Sequence, residues 1–368
     1  MSIPAHLNGA GVRFDERARA YDALLVLSFG GPEGPDDVIP FLENVTKGRT
    51  VPRKRLLAVA EHYQHFGGVS PINDQNRMLV TALAAELEQH QIELPIYFGN
   101  RNWHPFVEAT VQQMREDGIR RALVFVTSAF SSYSGCRQYR EDLARAVEPL
   151  GADELELAKL RVFYNHPGFV RAMAERVEEG LGWLAADRRA GAALVFTAHS
   201  IPLAMARSCA YEAQLRESCR LVTESVGIRD YRLAYQSRSG SPQVPWLEPD
   251  ILDELERVRD SGGQDVLVTP IGFVSDHMEV MFDLDEEAMA RSAELGLTMV
   301  RVGTAGTHPA FVTMIRELIE ERMTEHPTRL ALGSRGPSHD ICPINCCPRG
   351  EGRPAAGRVA AGAVTPGH

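Results

Sequence analysis

Short apolar runs alternate with longer segments of helical periodicity along most of the chain. Apolar runs of about 4–8 residues that end in turn residues are typical of buried strands, and apolar residues three or four positions apart are typical of helices. We therefore predict strands at 22–29, 95–99, 122–127, 160–164, 193–198, 231–236, 265–270 and 298–302. We predict helices near 55–66, 75–90, 105–117, 137–148, 168–185, 208–226, 250–260, 279–294 and 308–324.

This alternation divides the chain into two halves of the same kind. Four predicted strands fall on each side of about residue 189. The predicted fold class is therefore α/β, with two Rossmann-like domains that each contain a four-stranded parallel sheet flanked by helices. The domains are predicted at 21–188 and 189–326, and the last helix could pack on either half. The remaining predicted segments are a flexible extension at 1–20, a metal-binding segment at 327–348 and a disordered tail at 349–368.

Composition narrows the class of protein. The chain has 368 residues, of which 44% are apolar and 24% charged, as in ordinary globular proteins. Its formal net charge of −10 and its pI near 5.7 argue against nucleic acid as a partner. The sequence shows neither a secretory signal pattern nor the roughly 20 consecutive apolar residues of a membrane helix, so we expect a cytoplasmic protein.

Two predicted strand ends carry the candidate chemistry. His199 follows the strand at 193–198, and the segment 275–279, which ends in Glu279, follows the strand at 265–270. Open α/β folds bind ligands at the carboxyl edges of their parallel strands. An imidazole that titrates near neutral pH can bind a metal or accept a proton. The alternative explanation for His199 is a core histidine with satisfied hydrogen bonds.

Three acidic residues recur at every fourth position in the helix predicted to follow. Glu279, Asp283 and Glu287 therefore share one helix face, although like charges at this spacing repel each other. A solvated helix face is the simplest explanation. However, a row of carboxylates that leads from a strand end also suits the uptake of a divalent cation or the removal of protons. The neighbouring His277 is a weaker candidate that could orient Glu279.

Two further segments have features of a site. The long irregular segment 236–249 follows another strand and contains Trp246, which could form an aromatic wall for a flat ligand or belong to an ordinary lid. Cys342, Cys346 and Cys347 lie within six residues, a clustering that indicates metal chemistry better than disulfides. Zinc sites usually contain Cys-x2-Cys pairs, which are absent here, and an iron–sulfur cluster would need a fourth cysteine from the folded body. The remaining alternative is that these three cysteines belong to a C-terminal tail that binds no metal.

Five motifs together resemble the ferrochelatase family, whose members insert Fe2+ into a porphyrin. They occur in order between residues 22 and about 325, and they read LSFGGPE at 27–33, GGVSP at 67–71, FTAHSIP at 196–202, PWL at 245–247 and SDHME at 275–279. The C-terminal cysteines resemble those of actinobacterial members that carry a [2Fe-2S] cluster. Such members resemble the coproporphyrin branch, which metallates coproporphyrin III before decarboxylation to haem.

The resemblance assigns roles to individual residues of the chelatase site. His199 and Glu279 match the pair that binds the metal and deprotonates the pyrroles, while Asp283 and Glu287 match an acidic row that conducts iron inward or protons outward. The expected porphyrin contacts, some from the resemblance and some from residue type, are Phe29, Ser70, Tyr133, Tyr139, Arg49 and Trp246. Some coproporphyrin enzymes carry a tyrosine at the position of Phe29, and a phenyl ring cannot replace it as an iron ligand. Lys47, Arg49 and Arg53 are candidates for contacts with the propionates.

The resemblance also implies a cofactor and partners. Cys136 matches the internal cluster ligand and would join Cys342, Cys346 and Cys347, which leaves Cys209 and Cys219 as ordinary cysteines. The expected partners are coproporphyrin III, Fe2+ and the downstream coproheme decarboxylase, and a monomer is expected. Three other functions remain open: a protoporphyrin IX ferrochelatase, a cobalt or nickel chelatase of the same fold, and a non-catalytic haem or iron–sulfur sensor. The acidic row argues against the sensor.

Overall fold

The computed structural model describes residues 14–48, 51–151, 154–240 and 243–350, which form two four-stranded parallel sheets flanked by helices. The strands are β1 (Ala23–Ser28), β2 (Ile96–Asn100), β3 (Arg121–Val126), β4 (Glu156–Lys159), β5 (Ala193–His199), β6 (Arg232–Gln236), β7 (Asp265–Thr269) and β8 (Thr298–Arg301). The helices are α1 (Val38–Thr46), α2 (Arg53–His65), α3 (Ile72–Gln89), α4 (Val107–Glu116), α5 (Gln138–Val147), α6 (Pro167–Gly182), α7 (Leu203–Ala206), α8 (Tyr211–Ser225), α9 (Ile251–Asp260), α10 (Met278–Val280), α11 (Met289–Glu294) and α12 (Pro309–Met323). The predicted fold class is confirmed.

Both sheets have the same topology. The strand order is β2-β1-β3-β4 in the first sheet and β6-β5-β7-β8 in the second. The first strand of each half is therefore central, and β1 is buried along its whole length. Because all pairings are parallel, the carboxyl ends meet at one edge of each sheet, where Ser28 lies opposite Asn100 and His199 lies opposite Gln236.

The two halves share one large core. It contains Phe125 from the first sheet, Phe196 from the second, and side chains of α6 and α12 that lie between them. The Phe163 ring lies 5.4 Å from the Phe125 ring and 5.7 Å from that of Phe311 in α12, measured between centroids. Helix α12 packs on α3 and α6. The last helix, which the sequence left free to join either half, thus lies against helices that precede residue 188.

Two local predictions fail. The strand predicted at 160–164 is wrong, because β4 ends at Lys159 and the next five residues are irregular. All of them except Arg161 are hydrophobic and enter the shared core, whereas β4 is a half-buried edge strand with a mixed sequence. In addition, α1 lies outside the predicted helices and forms across Pro40. Pro40 lies in the first turn, where its missing N–H would have had no partner within the helix.

Both ends of the described chain are attached to the folded body. Asp15 and Glu16 belong to the predicted extension, yet Asp15 pairs with Arg322 at 3.6 Å and Glu16 pairs with Arg329 at 2.9 Å. The amide of Asn165 donates to the carbonyls of residues 332 and 336.

Residues 1–13 and 351–368, which hold most of the predicted extension and tail, lie outside the described residues. The domain boundary at residue 188 stays a prediction. Across the described ranges, none of the helices has the length and apolar character needed to cross a membrane.

Candidate active site

His199 and Glu279 lie side by side at the carboxyl edge of the second sheet. The Nε2 atom of His199 is 3.5 Å from Oε2 of Glu279, and the side chains are 33% and 49% exposed. The Nδ1 atom of His199 lies at short hydrogen-bond distance from the carbonyl oxygen of Ser200. A carbonyl can only accept, so Nδ1 carries a proton and donates to Ser200, while Nε2 faces Glu279. The structure thus brings together the two strand ends that the sequence analysis selected, and the catalytic roles of the two residues stay predictions.

The backbone on each side of this pair is held by hydrogen bonds. The Tyr211 hydroxyl donates to the His199 carbonyl at 3.0 Å, and the Ser200 hydroxyl donates to the carbonyl of residue 247 at 2.8 Å. On the other side, Nδ1 of His277 accepts a hydrogen bond from the backbone N–H of Glu279 at 3.2 Å and caps α10. Burial lowers the pKa of His277 and keeps its ring neutral, as an acceptor must be. The capping bond is consistent with the predicted orienting role of His277.

The acidic row continues from Glu279 into a π-helical segment, Met281–Ala288, in which hydrogen bonds span five residues. Asp283 accepts hydrogen bonds from the Ser237 hydroxyl and, at 3.4 Å, from the Gln236 amide. Burial, with smaller contributions from the neighbouring Glu279 and Glu287, raises its pKa from 3.8 to about 7. Glu287 is more exposed, and partial burial raises its pKa too. Asp283 can therefore exchange a proton near neutral pH.

This raised pKa predicts that Asp283→Asn changes the pH dependence of stability. In the wild type, the folded state holds the Asp283 proton more tightly than the unfolded state, so this group lowers the stability as the pH rises from about 4 to about 7. Asparagine never ionises and removes that cost. We expect the melting temperature of Asp283→Asn to exceed that of the wild type by a few degrees at pH 8, but not at pH 4. Equal differences at both pH values would contradict this assignment.

Helix α2 contributes side chains that the sequence interpretation missed. The His62 ring stacks on Phe282 with centroids 3.9 Å apart and an angle of 11° between the planes. His65 Nε2 lies 3.5 Å from Oε1 of Glu286. Burial, together with the nearby carboxylates of the acidic row, raises the pKa of Tyr63 and keeps it protonated. The signal that was available is the spacing of two histidines by three residues, which places both on one side of a helix.

Hydrogen bonds join the carboxyl edges of the two sheets. The Gln75 side chain accepts from the backbone N–H of Asp276 at 2.8 Å and donates to its carboxylate at 3.4 Å. The Asn76 amide donates to Ser28 at the end of β1 at 2.8 Å and accepts from Ser275 at 3.4 Å. The segment that leads to Glu279 is thus anchored to the first half, and the site lies where both halves meet.

The predicted porphyrin contacts have different surroundings. Phe29 is 38% exposed at the end of β1, as a ligand contact requires. The other described members of the set are buried: Ser70, Tyr133, Tyr139 and Trp246. Tyr139 lies under the guanidinium of Arg101 at 4.5 Å, and Tyr133 donates to Glu141 at 3.0 Å. Porphyrin contacts at the buried residues stay predictions, and Arg49 lies outside the described residues.

The predicted cluster ligands converge between the first half and the C-terminal segment. Cys136 lies in the buried turn after β3, and a hydrogen bond with Cys342, together with burial, raises its pKa. The Sγ atom of Cys346 is 3.6 Å from Sγ of Cys347 and also 3.6 Å from Nε2 of His339. All six cysteines of the chain are free thiols. Thiolates and imidazole are soft to borderline ligands, so the donor set fits an iron–sulfur cluster or zinc.

Comparisons with known proteins identify relatives of the chain. A family model for ferrochelatase matches residues 21–323. The chain is 54% identical to a ferrochelatase of Rhodopirellula baltica, over 89% of this chain and 93% of the relative. It is 51% identical to a coproporphyrin III ferrochelatase of Streptomyces griseus, over 94% of this chain and 97% of the relative. It is 53% identical to a coproporphyrin III ferrochelatase of Frankia alni, over 90% of this chain and 87% of the relative.

A solved structure supports the fold. SirB from Bacillus subtilis with Fe3+ superposes with a TM-score of 0.52 and 12% identity, and the match covers 81% of this chain and 96% of SirB. At this low identity, the similarity concerns the arrangement of strands and helices.

Proposed function

The chain belongs to the ferrochelatase family, and on that basis we propose that it inserts Fe2+ into coproporphyrin III to give coproheme in haem biosynthesis. The observation that carries the proposal is the pairing of His199 and Glu279, 3.5 Å apart, where the carboxyl edges of both sheets meet. The names of relatives at about 50% identity support the choice of porphyrin. The reaction makes the protein a lyase of the metal chelatase type.

Insertion exchanges two pyrrole protons for one Fe2+, so the site must accept protons and hold the ion beside the ring. Imidazole nitrogen and carboxylate oxygen bond first-row divalent ions at about 2.0–2.2 Å, so two donors 3.5 Å apart can share one ion. Either His199 or Glu279 accepts a pyrrole proton while the other binds iron. We propose that contacts remote from the pyrrole nitrogens bend the macrocycle, which turns the nitrogen lone pairs towards the metal.

The acidic row provides the route to or from this pair. Asp283, with a pKa of about 7, can take a proton from the site and release it near neutral pH. Glu287 lies further along the same segment and is more exposed. We propose that these carboxylates, together with Glu279, carry protons outward or iron inward.

The porphyrin is expected to bind through its face and its four propionates. Phe29 offers an exposed ring but no atom that could ligate iron. Lys47 and Arg53 are exposed cations that could reach propionates, although Arg53 pairs with Glu43 at 2.9 Å in the absence of substrate. We also keep Arg49, Ser70, Tyr133, Tyr139 and Trp246 as proposed contacts.

We further propose that Cys136, Cys342, Cys346 and Cys347 hold a [2Fe-2S] cluster. Such a cluster takes four thiolates, and the four sulfurs form two contacting pairs, Cys136 with Cys342 and Cys346 with Cys347. When bound, the cluster would supply a redox centre. The ligands themselves would tie the C-terminal segment to the first half.

The setting of the reaction is also a proposal. Six free thiols fit the reducing cytoplasm. We propose a monomer that delivers its product to a coproheme decarboxylase.

The test is anaerobic Fe2+ insertion followed by absorption, with coproporphyrin III and protoporphyrin IX offered separately at equal concentration. We expect coproporphyrin III to be metallated at least about tenfold faster, because its two additional propionates add charge-assisted contacts. Faster metallation of protoporphyrin IX would keep the chemistry and move the enzyme to the last step of haem synthesis. Insertion into neither, with the fold intact, would favour the non-catalytic sensor.

A further inference from the structure

The C-terminal segment has a nitrogen donor that the proposed cluster does not use. The ligand atoms of His339, Cys342 and Cys346 all lie within 4.8 Å of one another, and the three residues are half-buried, so an ion could reach them from solvent. The donors are separated along the chain by two and three residues. Short intervals of this size are common in the ligand loops of structural zinc sites.

The distances agree with those of a tetrahedral metal ion. An ion that bonds sulfur at about 2.3 Å and nitrogen at about 2.1 Å holds those two atoms about 3.6 Å apart at the tetrahedral angle. The observed separation between Cys346 Sγ and His339 Nε2 is 3.6 Å. Cys346 Sγ and His339 Nε2 are therefore already separated by the distance that binding to one tetrahedral ion requires.

Solvent can complete the coordination of an ion at this set. Cys136 adjoins Cys342, but it is not among the donors that lie within 4.8 Å of one another. The ammonium group of Lys159, at the end of β4, lies near Cys136 and Cys342. A cation at this point offsets part of the negative charge that the two thiolates of the site would bring.

We propose that His339, Cys342 and Cys346, with a solvent ligand in the fourth position, form a tetrahedral site for a single borderline divalent cation of the zinc class. The site shares the thiolates of Cys342 and Cys346 with the proposed cluster, so a single ion and the cluster exclude each other. His339 serves only the ion, and Cys347, whose side chain is 3% exposed in the shared core, serves only the cluster. The choice of occupant therefore depends on whether inorganic sulfide is supplied along with the metal.

This difference between His339 and Cys347 gives the test. Full-length protein, reduced and freed of metal, is titrated anaerobically with Co2+, whose visible bands report a tetrahedral site and whose thiolate charge-transfer bands report sulfur ligands. The wild type is expected to bind one Co2+ tetrahedrally. His339→Ala is expected to weaken Co2+ binding at least about a hundredfold, and Cys347→Ser to leave it unchanged. A matched control is His326→Ala, since His326 is 78% exposed and pairs with Glu16.

Reconstitution with iron and sulfide should give the opposite pattern, with the cluster lost in Cys347→Ser and retained in His339→Ala. Wild-type Co2+ affinity in His339→Ala, or an octahedral Co2+ spectrum in the wild type, would overturn the proposal. Melting curves of the metal-free variants separate lost ligands from lost folding. Iron insertion into coproporphyrin III depends on His199 and Glu279, so its failure beside intact Co2+ binding would contradict only the proposed function.

Discussion

Replacing His199 by alanine is expected to reduce iron insertion at least about a hundredfold while porphyrin binding changes by less than about threefold. The lost imidazole is either the general base, which contributes about 10²–10⁴ in rate, or a ligand of the incoming ion. Its Nε2 atom lies 3.5 Å from the Glu279 carboxylate, and its side chain is 33% exposed, so its removal leaves the core intact. Initial rates with Fe2+ and coproporphyrin III measure the first effect, and quenching of protein fluorescence by the porphyrin measures the second.

The control for this prediction is His90→Ala, which removes an exposed imidazole at the end of α3 and should leave both quantities unchanged. Exogenous imidazole should restore part of the rate of His199→Ala, since the missing group is small and the site is open to solvent. A parallel loss of rate, porphyrin affinity and melting temperature would instead make His199 a packing residue. That result would remove the central residue of the proposed mechanism.

The sequence placed His199 and Glu279 at one candidate site because its signals are local. An apolar run predicts a buried strand, and the polar residues that end the run fall at the carboxyl edge of a parallel sheet. His199 and Glu279 could therefore be placed at one site without knowing the packing. By contrast, His62 and Tyr63 belong to a helix of the other half, and only the docking of that half brings them to the acidic row. No local pattern predicts such a contact.

Tertiary packing also explains the incorrect strand. Residues 160–164 have the apolar composition of a strand because Phe163 and its neighbours fill the space between the sheets and α12. The edge strand that precedes them is half-buried and lacks that composition. The π-helical turn of the acidic row was not predicted from the sequence, for a different reason. Within this segment Asp283 contacts Gln236 and Ser237, which lie in another strand and its following loop, and the local sequence does not show these contacts.

Breaking the ion pair between Arg161 and Glu321 is expected to have the largest effect on stability. Both side chains are almost fully buried, at 1% and 5% exposure, and the guanidinium makes two bonds of 2.7 and 2.8 Å to the carboxylate. A third bond of 2.8 Å reaches the carbonyl of residue 330. In Arg161→Met, Glu321 of α12 would be left as a buried charge without its partner. We expect the free energy of unfolding to fall by about 3–5 kcal/mol, measured by urea denaturation.

The double variant Arg161→Met/Glu321→Leu separates the cost of the orphaned carboxylate from the value of the pair. An apolar replacement of both partners is often close to neutral, so the double variant should regain most of the lost stability. Arg171→Met is the matched control, because Arg171 forms its 2.6 Å pair with Glu175 on the surface, where solvent screens it. If Arg161→Met lowered the free energy of unfolding no more than Arg171→Met, the ion pair between Arg161 and Glu321 would not contribute to holding α12 on the first half. The apolar contacts of the shared core would then hold α12 there alone.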